Sequence, residues 1–148
     1  MDTFRVVVDY SKTVAELLEG GDYDWTDDDV IGRNVLLTGS GIVEQDFILY
    51  HLNYVASTKE VLIALDRCGL RPATNHELLS FGIAYPGFQE EFPIIQLGTI
   101  LVAIGGGLYV SLLGLDPWTG ARFAAVRHPY DYSERWSAIC RFLAVRKK

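Results

Sequence analysis

The sequence has few cysteines, little positive charge and no long uninterrupted apolar run. Its 148 residues include two cysteines, and 13 lysines and arginines stand against 19 aspartates and glutamates, for a net charge of −6. Because an acidic surface repels phosphate backbones, this balance disfavours a nucleic-acid partner. Glycines interrupt the longest apolar stretch, residues 92–115, so no membrane span is expected. The N-terminus lacks the pattern of a signal peptide, which predicts a chain that is cytoplasmic at synthesis.

The residue types that usually carry cofactors or metals are scattered. Cys68 and Cys140 lie in apolar segments, which predicts two buried free thiols. His51, His76 and His128 do not have the spacing of zinc ligands. The chain also contains no nucleotide-binding or nucleophile-elbow motif, so we expect neither a cofactor nor an enzyme.

Local patterns predict helices early in the chain. Three capping boxes, each a Ser or Thr followed three residues later by Glu, mark helix starts at Thr13/Glu16, Ser57/Glu60 and Thr74/Glu77. Glycine or proline closes each helix, at residues 20–21, 69 and 86–87.

Strand patterns dominate the last third. A first strand is predicted at 4–10, two more around a glycine turn within 34–54, and five at 94–97, 99–104, 108–113, 121–127 and 138–146. We predict that 138–146 is a central strand and that residues 105–107 form a glycine-rich hairpin turn. These patterns therefore predict a single α+β domain over 1–148, with helices first and an antiparallel sheet.

The acidic loop at 22–29 offers an alternative reading. Asp22, Asp24 and Asp28 have a spacing similar to that of calcium ligands. The loop lacks the turn glycine, and Arg33 stands where a bidentate glutamate would be needed. A solvated acidic turn is the preferred interpretation, and a small metal-assisted enzyme using these aspartates is the rival hypothesis.

Two stretches carry a family resemblance. "LRPATNHELLSFG" (70–82) resembles a helix-opening element of formylglycine-generating-enzyme-like domains, and "DPWTGARFAAVRHPYDYSERWSAICRFLAVR" (116–146) resembles their closing section. In a short chain this combination is similar to the variable proteins of diversity-generating retroelements, which have a C-type-lectin fold. The resemblance covers 70–148, and residues 1–69 match no family that we can name.

The resemblance implies a non-enzymatic binding protein. In that family, adenine-directed mutagenesis rewrites the 3′ end of the gene and varies the ligand-binding surface. The mixture of aromatic, hydroxyl and charged residues at 128–139 is typical of such a surface. The implied ligand-facing positions are Tyr109, Ser111, Asp116, Thr119, His128, Tyr130, Asp131, Tyr132, Ser133, Ser137 and Ile139. The ligand would be a protein or another macromolecule, and a viral inhibitor of a host protein is a further possibility of the same class.

The same resemblance assigns other residues to the scaffold. Adenine mutagenesis of AAY codons cannot produce Trp or Glu, so Trp118, Glu134 and Trp136 would be framework residues. Arg122 and Arg141 are assigned to the framework as well. We expect Arg141 to pair with an acidic residue or with main-chain carbonyls, because an unpaired buried guanidinium is costly.

Overall fold

The computed structural model describes residues 1–31, 40–129 and 135–148. The helices and strands in these ranges confirm the α+β class. In chain order they are β1 (Phe4–Asp9), α1 (Val14–Gly20), β2 (Trp25–Thr26), α2 (Asp28–Ile31), β3 (Ile42–Tyr50), α3 (Thr58–Arg67), β4 (Leu70–Pro72), α4 (Asn75–Ala84), α5 (Phe88–Glu91), β5 (Ile94–Ile95), β6 (Leu101–Val102), β7 (Leu108–Leu115), β8 (Arg122–Arg127) and β9 (Arg141–Arg146).

One mixed sheet organises the molecule. Its strand order is β1-β3-β9-β5-β7-β8-β2, with β4 also paired to β9 and β6 to β7. The described pairings are antiparallel apart from β5–β9 and β2–β8, so the prediction of an antiparallel sheet is wrong at these two pairs.

β9 is a central strand, as predicted. It pairs with β3 on one side and with β5 on the other. Phe142, Leu143 and Val145 are 2%, 0% and 7% exposed, because side chains on both faces of β9 enter a core. One core lies under α1, α4 and α5, and the other lies under α3.

The three predicted capping boxes are present. In α1, α3 and α4 the backbone N–H of the Glu donates to the capping hydroxyl at 3.1, 3.2 and 3.2 Å, respectively. The third box differs from the others because Glu77 is 1% exposed. Its carboxylate accepts two hydrogen bonds from Arg71, both 2.9 Å long, and one from Tyr10 at 2.7 Å. Glu77 therefore joins α4 to β4 and to Tyr10, the residue that follows β1, as well as capping its helix.

Several elements differ from the prediction. The short elements β2, α2, β4 and α5 were not predicted, since two to four residues show no periodicity. The glycine hairpin is confirmed between β6 and β7, where Gly105 and Gly106 have φ of +94° and +92°. The first strand of the predicted pair within 34–54 falls mostly in 32–39, outside the described residues. Every helix in the described part of the chain is too short or too polar to cross a bilayer.

Candidate functional site

The described parts of the connection between β8 and β9 lie on the α3 side of the sheet, where Trp136 and Cys140 belong to the same core as Val61 and Leu65 of α3. β8 and β9 run in the same direction, because β7 is antiparallel to both β8 and β5, and β5 is parallel to β9. We call residues 128–140 the crossover. Its described parts are 128–129 and 135–140, so the predicted ligand-facing residues Tyr130, Asp131, Tyr132 and Ser133, and the predicted framework residue Glu134, lie outside the described residues.

Trp136 fixes the crossover to the core. Its side chain is 3% exposed, and its indole Nε1 donates to the Thr58 hydroxyl at 2.8 Å. The Arg127 guanidinium lies 4.7 Å from the ring centroid, within reach of a cation–π interaction. Trp136 and Ala56 also exchange two backbone hydrogen bonds, of 2.8 and 3.2 Å. These contacts give Trp136 the framework position that was predicted for it.

The residues on both sides of 130–134 are held against the start of α3. The Thr58 hydroxyl donates to the Pro129 carbonyl oxygen. On the other side, Arg127 Nη2 donates to the Arg135 carbonyl oxygen at 3.0 Å, and Arg135 forms an exposed ion pair with Glu60 at 3.3 Å. α3 packs on the sheet, so Pro129 and Arg135 are both attached to a helix that belongs to the core.

Large apolar side chains are exposed beside the second half of the crossover. Ile139 is 59% exposed, and Tyr54 and Val55, in the loop before α3, are 53% and 55% exposed. The two segments lie side by side, since His51 Nε2 is 2.7 Å from the Ala138 carbonyl oxygen. Exposed apolar patches of this kind mark interaction sites. Tyr54 and Val55 were not predicted, although two large apolar residues in a segment without periodicity were a usable signal.

A hydrogen-bonded turn between β7 and β8 carries Trp118. The Trp118 N–H donates to Asp116 Oδ1, and the Gly120 N–H donates to the Asp116 carbonyl, both at 2.8 Å. Trp118 is 93% exposed. Pro117 and Ile139 line the same groove of about 340 Å³, which joins the turn to the crossover. We call the resulting surface the crossover patch, and it consists of Tyr54, Val55, Pro117, Trp118, Ser137 and Ile139.

Four of the predicted ligand-facing residues lie at the crossover patch. Asp116 and Thr119 belong to the turn, and Ser137 and Ile139 belong to the crossover. Thr119 Oγ1 accepts from the Ala121 N–H at 3.2 Å, and Ser137 Oγ accepts from the Ile139 N–H at 3.3 Å. Asp116 is half-buried, whereas the other three are exposed.

Two further predicted residues lie at the opposite end of β7. The Tyr109 and His128 rings are 4.3 Å apart, with Tyr109 half-buried and His128 exposed. Asp116 is seven positions after Tyr109 along an extended strand, which corresponds to about 23 Å at about 3.3 Å per residue. The predicted positions therefore do not form one compact cluster.

Ser111 was predicted to face the ligand, and this prediction is wrong. The side chain is 1% exposed, because β7 is covered on both faces. Its hydroxyl donates to Asn75 Oδ1 at 2.7 Å and accepts from Gln96 Nε2 at 2.9 Å. Replacement of this residue would leave buried polar atoms without partners.

The framework assignments have different outcomes. Trp118 was assigned to the framework, but its 93% exposure leaves the ring outside the core. Arg122 donates to the Gly21 carbonyl at 3.0 Å and to Gln89 Oε1 at 3.0 Å, which fits a framework role. Arg141 donates to the Ile139 carbonyl at 2.6 Å and lies over the Phe92 ring at 4.3 Å. The expected pairing of Arg141 with a main-chain carbonyl is confirmed.

The aspartates of the acidic loop accept hydrogen bonds from other residues of the protein. Asp24 Oδ2 accepts from the Arg122 N–H at 2.7 Å, and Asp28 accepts from the Thr26 hydroxyl. The Asp22 carbonyl accepts from Arg122 Nη1 at 3.2 Å. Within residues 1–31, 40–129 and 135–148, no three His, Cys, Asp or Glu side chains are grouped so that they could hold a metal ion.

The cysteines are both free thiols, but only one is buried. Burial raises the pKa of the Cys140 thiol, which keeps it protonated and unreactive. Cys68 is exposed, so the prediction of its burial is wrong. The residue caps the end of α3, where the chain leaves the core.

The chain matches no protein-family model, no curated protein and no solved structure.

Proposed function

We propose that the protein is a non-catalytic binding protein whose crossover patch contacts a protein or another macromolecule. The observation that carries this proposal is Trp118, 93% exposed on a turn fixed by hydrogen bonds. Exposed Ile139 lies near the turn, and Tyr54 is on the loop beside the crossover. Trp and Tyr are over-represented among the residues that dominate interface energies.

The rigid support of the patch favours binding. Ordering of flexible side chains and loops costs about 0.5–1.5 kcal/mol per immobilised side chain on association. Here Trp136 and Ala56 already fix the crossover, and Asp116 and Gly120 fix the turn. A partner would therefore meet surface residues on a backbone that needs little rearrangement.

The Tyr109–His128 pair lies apart from the crossover patch. Tyr109 packs against the core under α1, α4 and α5, whereas Trp136 and Cys140 of the crossover belong to the core under α3. The proposed contact with a partner therefore rests on the crossover patch and not on Tyr109 and His128.

The resemblance extends the proposal to fold type and diversification. We propose a C-type-lectin-type fold whose binding residues vary through retroelement mutagenesis. The variable positions among the described residues would be Tyr109, Asp116, Thr119, His128, Ser137 and Ile139, without the buried Ser111. Sequencing of the gene's neighbourhood tests this part: we expect a reverse-transcriptase gene and a near-identical repeat that differs at adenines. A neighbourhood without either would contradict diversification and leave the binding role standing.

A pair of isoleucine variants tests the binding role. Ile139→Asp changes the crossover patch, and Ile42→Asp makes the same change at a residue on β3 that is 69% exposed. Affinity capture from the native host should recover a partner with the wild type and with Ile42→Asp, but not with Ile139→Asp. Circular dichroism of both variants confirms that they are folded. Equal recovery by both variants would contradict the proposal.

A further inference from the structure

The groove beside Trp118 has apolar walls. Phe92 and Pro93 line one part, Leu115 and Pro117 line another, and Ile139 comes from the crossover. Its volume of about 340 Å³ is at the lower end of the range for binding pockets. It is large enough for one or two side chains of a partner.

The rim of this groove is acidic. Glu90 and Glu91, at the end of α5, line the groove with exposed side chains. Neither carboxylate forms an ion pair with a residue in the described part of the chain. Two cations lie near the groove. Arg141 is directed to the Ile139 carbonyl and to the Phe92 ring, and Arg122 is directed to Gln89 Oε1 and to the Gly21 carbonyl. The groove therefore presents unpaired negative charge beside apolar walls.

We propose that this groove binds an arginine or lysine side chain from a basic, partly apolar segment of the partner protein. The aliphatic stem would pack on the apolar walls, and the charged head would meet Glu90 and Glu91. Trp118, which follows Pro117, offers a ring face for a cation–π contact. The net charge of −6 would also attract a basic partner at long range. This inference rests on the proposed binding role of the same patch.

Two labelled peptides provide the probe for this site. One alternates arginine with leucine, and the other has glutamate in place of arginine; both carry fluorescein for polarisation measurements. We expect the basic peptide to bind and the acidic peptide not to bind. Binding should weaken several-fold between 50 and 300 mM salt, because exposed charges are screened over about a Debye length. Trp118→Ala should also weaken binding.

A matched pair of double variants locates the binding site. Glu90→Gln/Glu91→Gln should weaken binding of the basic peptide by about fivefold to tenfold, which corresponds to about 1–1.4 kcal/mol for the two rim charges together. Glu44→Gln/Asp66→Asn removes the same charge at the opposite end of β9, where Asp66 contacts Lys147. This control should change binding by less than about twofold, as expected for charges beyond a Debye length.

The outcomes separate this inference from the proposed function. Equal losses in the two double variants, or equal binding of the two peptides, would overturn the basic-segment inference. Capture of the native partner by wild type and Ile42→Asp, but not by Ile139→Asp, would still support the binding role. Loss of that capture pattern would instead count against the proposed function itself.

Discussion

At the residue scale, the three tryptophans have different environments. Trp136 is 3% exposed and joins the crossover to α3, Trp25 is 45% exposed, and Trp118 is 93% exposed. Their sequence neighbourhoods do not show this difference, since Trp118 and Trp136 both lie among polar residues. The side chains that surround each ring come from distant parts of the chain, and these decide which ring is structural.

Substitution of two tryptophans tests that assignment. Trp136→Ala should lower the free energy of unfolding by about 3–5 kcal/mol, the usual cost of removing a buried aromatic ring. Trp118→Ala should change it by about 0.5 kcal/mol or less, because the ring has few contacts to lose. Urea denaturation of both variants measures the difference. A larger loss for Trp118→Ala would reverse the assignment of scaffold and surface.

Glu77 and Glu16 allow a second comparison between two residues of the same type in different environments. Both close a capping box, but only Glu77 also pairs with Arg71 in the core. Glu77→Gln should lower the free energy of unfolding by about 1.5–3 kcal/mol, because the half-buried Arg71 guanidinium loses its charge partner while water still reaches it. Glu16→Gln should cost about 1 kcal/mol or less, as a surface cap does. Similar costs in denaturation experiments would show that the ion pair adds little.

At the element scale, β9 connects the two parts of the chain. It pairs with β3 from the first 69 residues and with β5 from the remainder. The same strand carries side chains into both cores. Separation of β9 from its neighbours would therefore require the sheet to open.

Amide hydrogen exchange tests the central position of β9. The amides of residues 142–145 should exchange only through global unfolding, because both neighbouring strands must separate before they are exposed. The amides of β6, which pairs only with β7 among the described strands, should exchange faster. NMR measurement of both sets in one sample provides the comparison. Fast exchange in β9 would contradict the observed architecture.

At the scale of the whole molecule, the ion pair in the core makes stability depend on pH. Burial opposes ionisation of Glu77, but hydrogen bonds from Arg71, the Thr74 N–H and Tyr10 outweigh it and lower the pKa of Glu77 below its usual 4.5. A carboxyl group whose pKa is lower in the folded state stabilises the protein above its unfolded pKa. This stabilisation is lost as the pH falls below about 4.5 and through the lowered pKa.

Acid denaturation measures this contribution. Between pH 5 and pH 3 the wild type should lose more stability than Glu77→Gln, because the variant has no carboxyl group to protonate at this position. Urea midpoints measured across this range give the two slopes. Parallel slopes for the wild type and Glu77→Gln would contradict the lowered pKa.

The sequence by itself determined the local structure. Thr13, Ser57 and Thr74 marked three helix starts correctly, and the glycines at 105–107 marked a hairpin. These features depend on residues within about four positions along the chain, so their hydrogen bonds can be inferred from spacing. Strong apolar runs also located β1, β7, β8 and β9 to within a few residues.

Tertiary structure alone decided which side chains are available for binding. Ser111 is buried because β7 is covered on both faces, whereas Cys68 is exposed because α3 ends at the surface. Tyr54 lies beside the crossover through contacts between segments more than 80 residues apart, such as that of His51 with Ala138. Spacing along the chain predicts contacts within a turn or a helix, but burial depends on elements that meet only when the sheet forms.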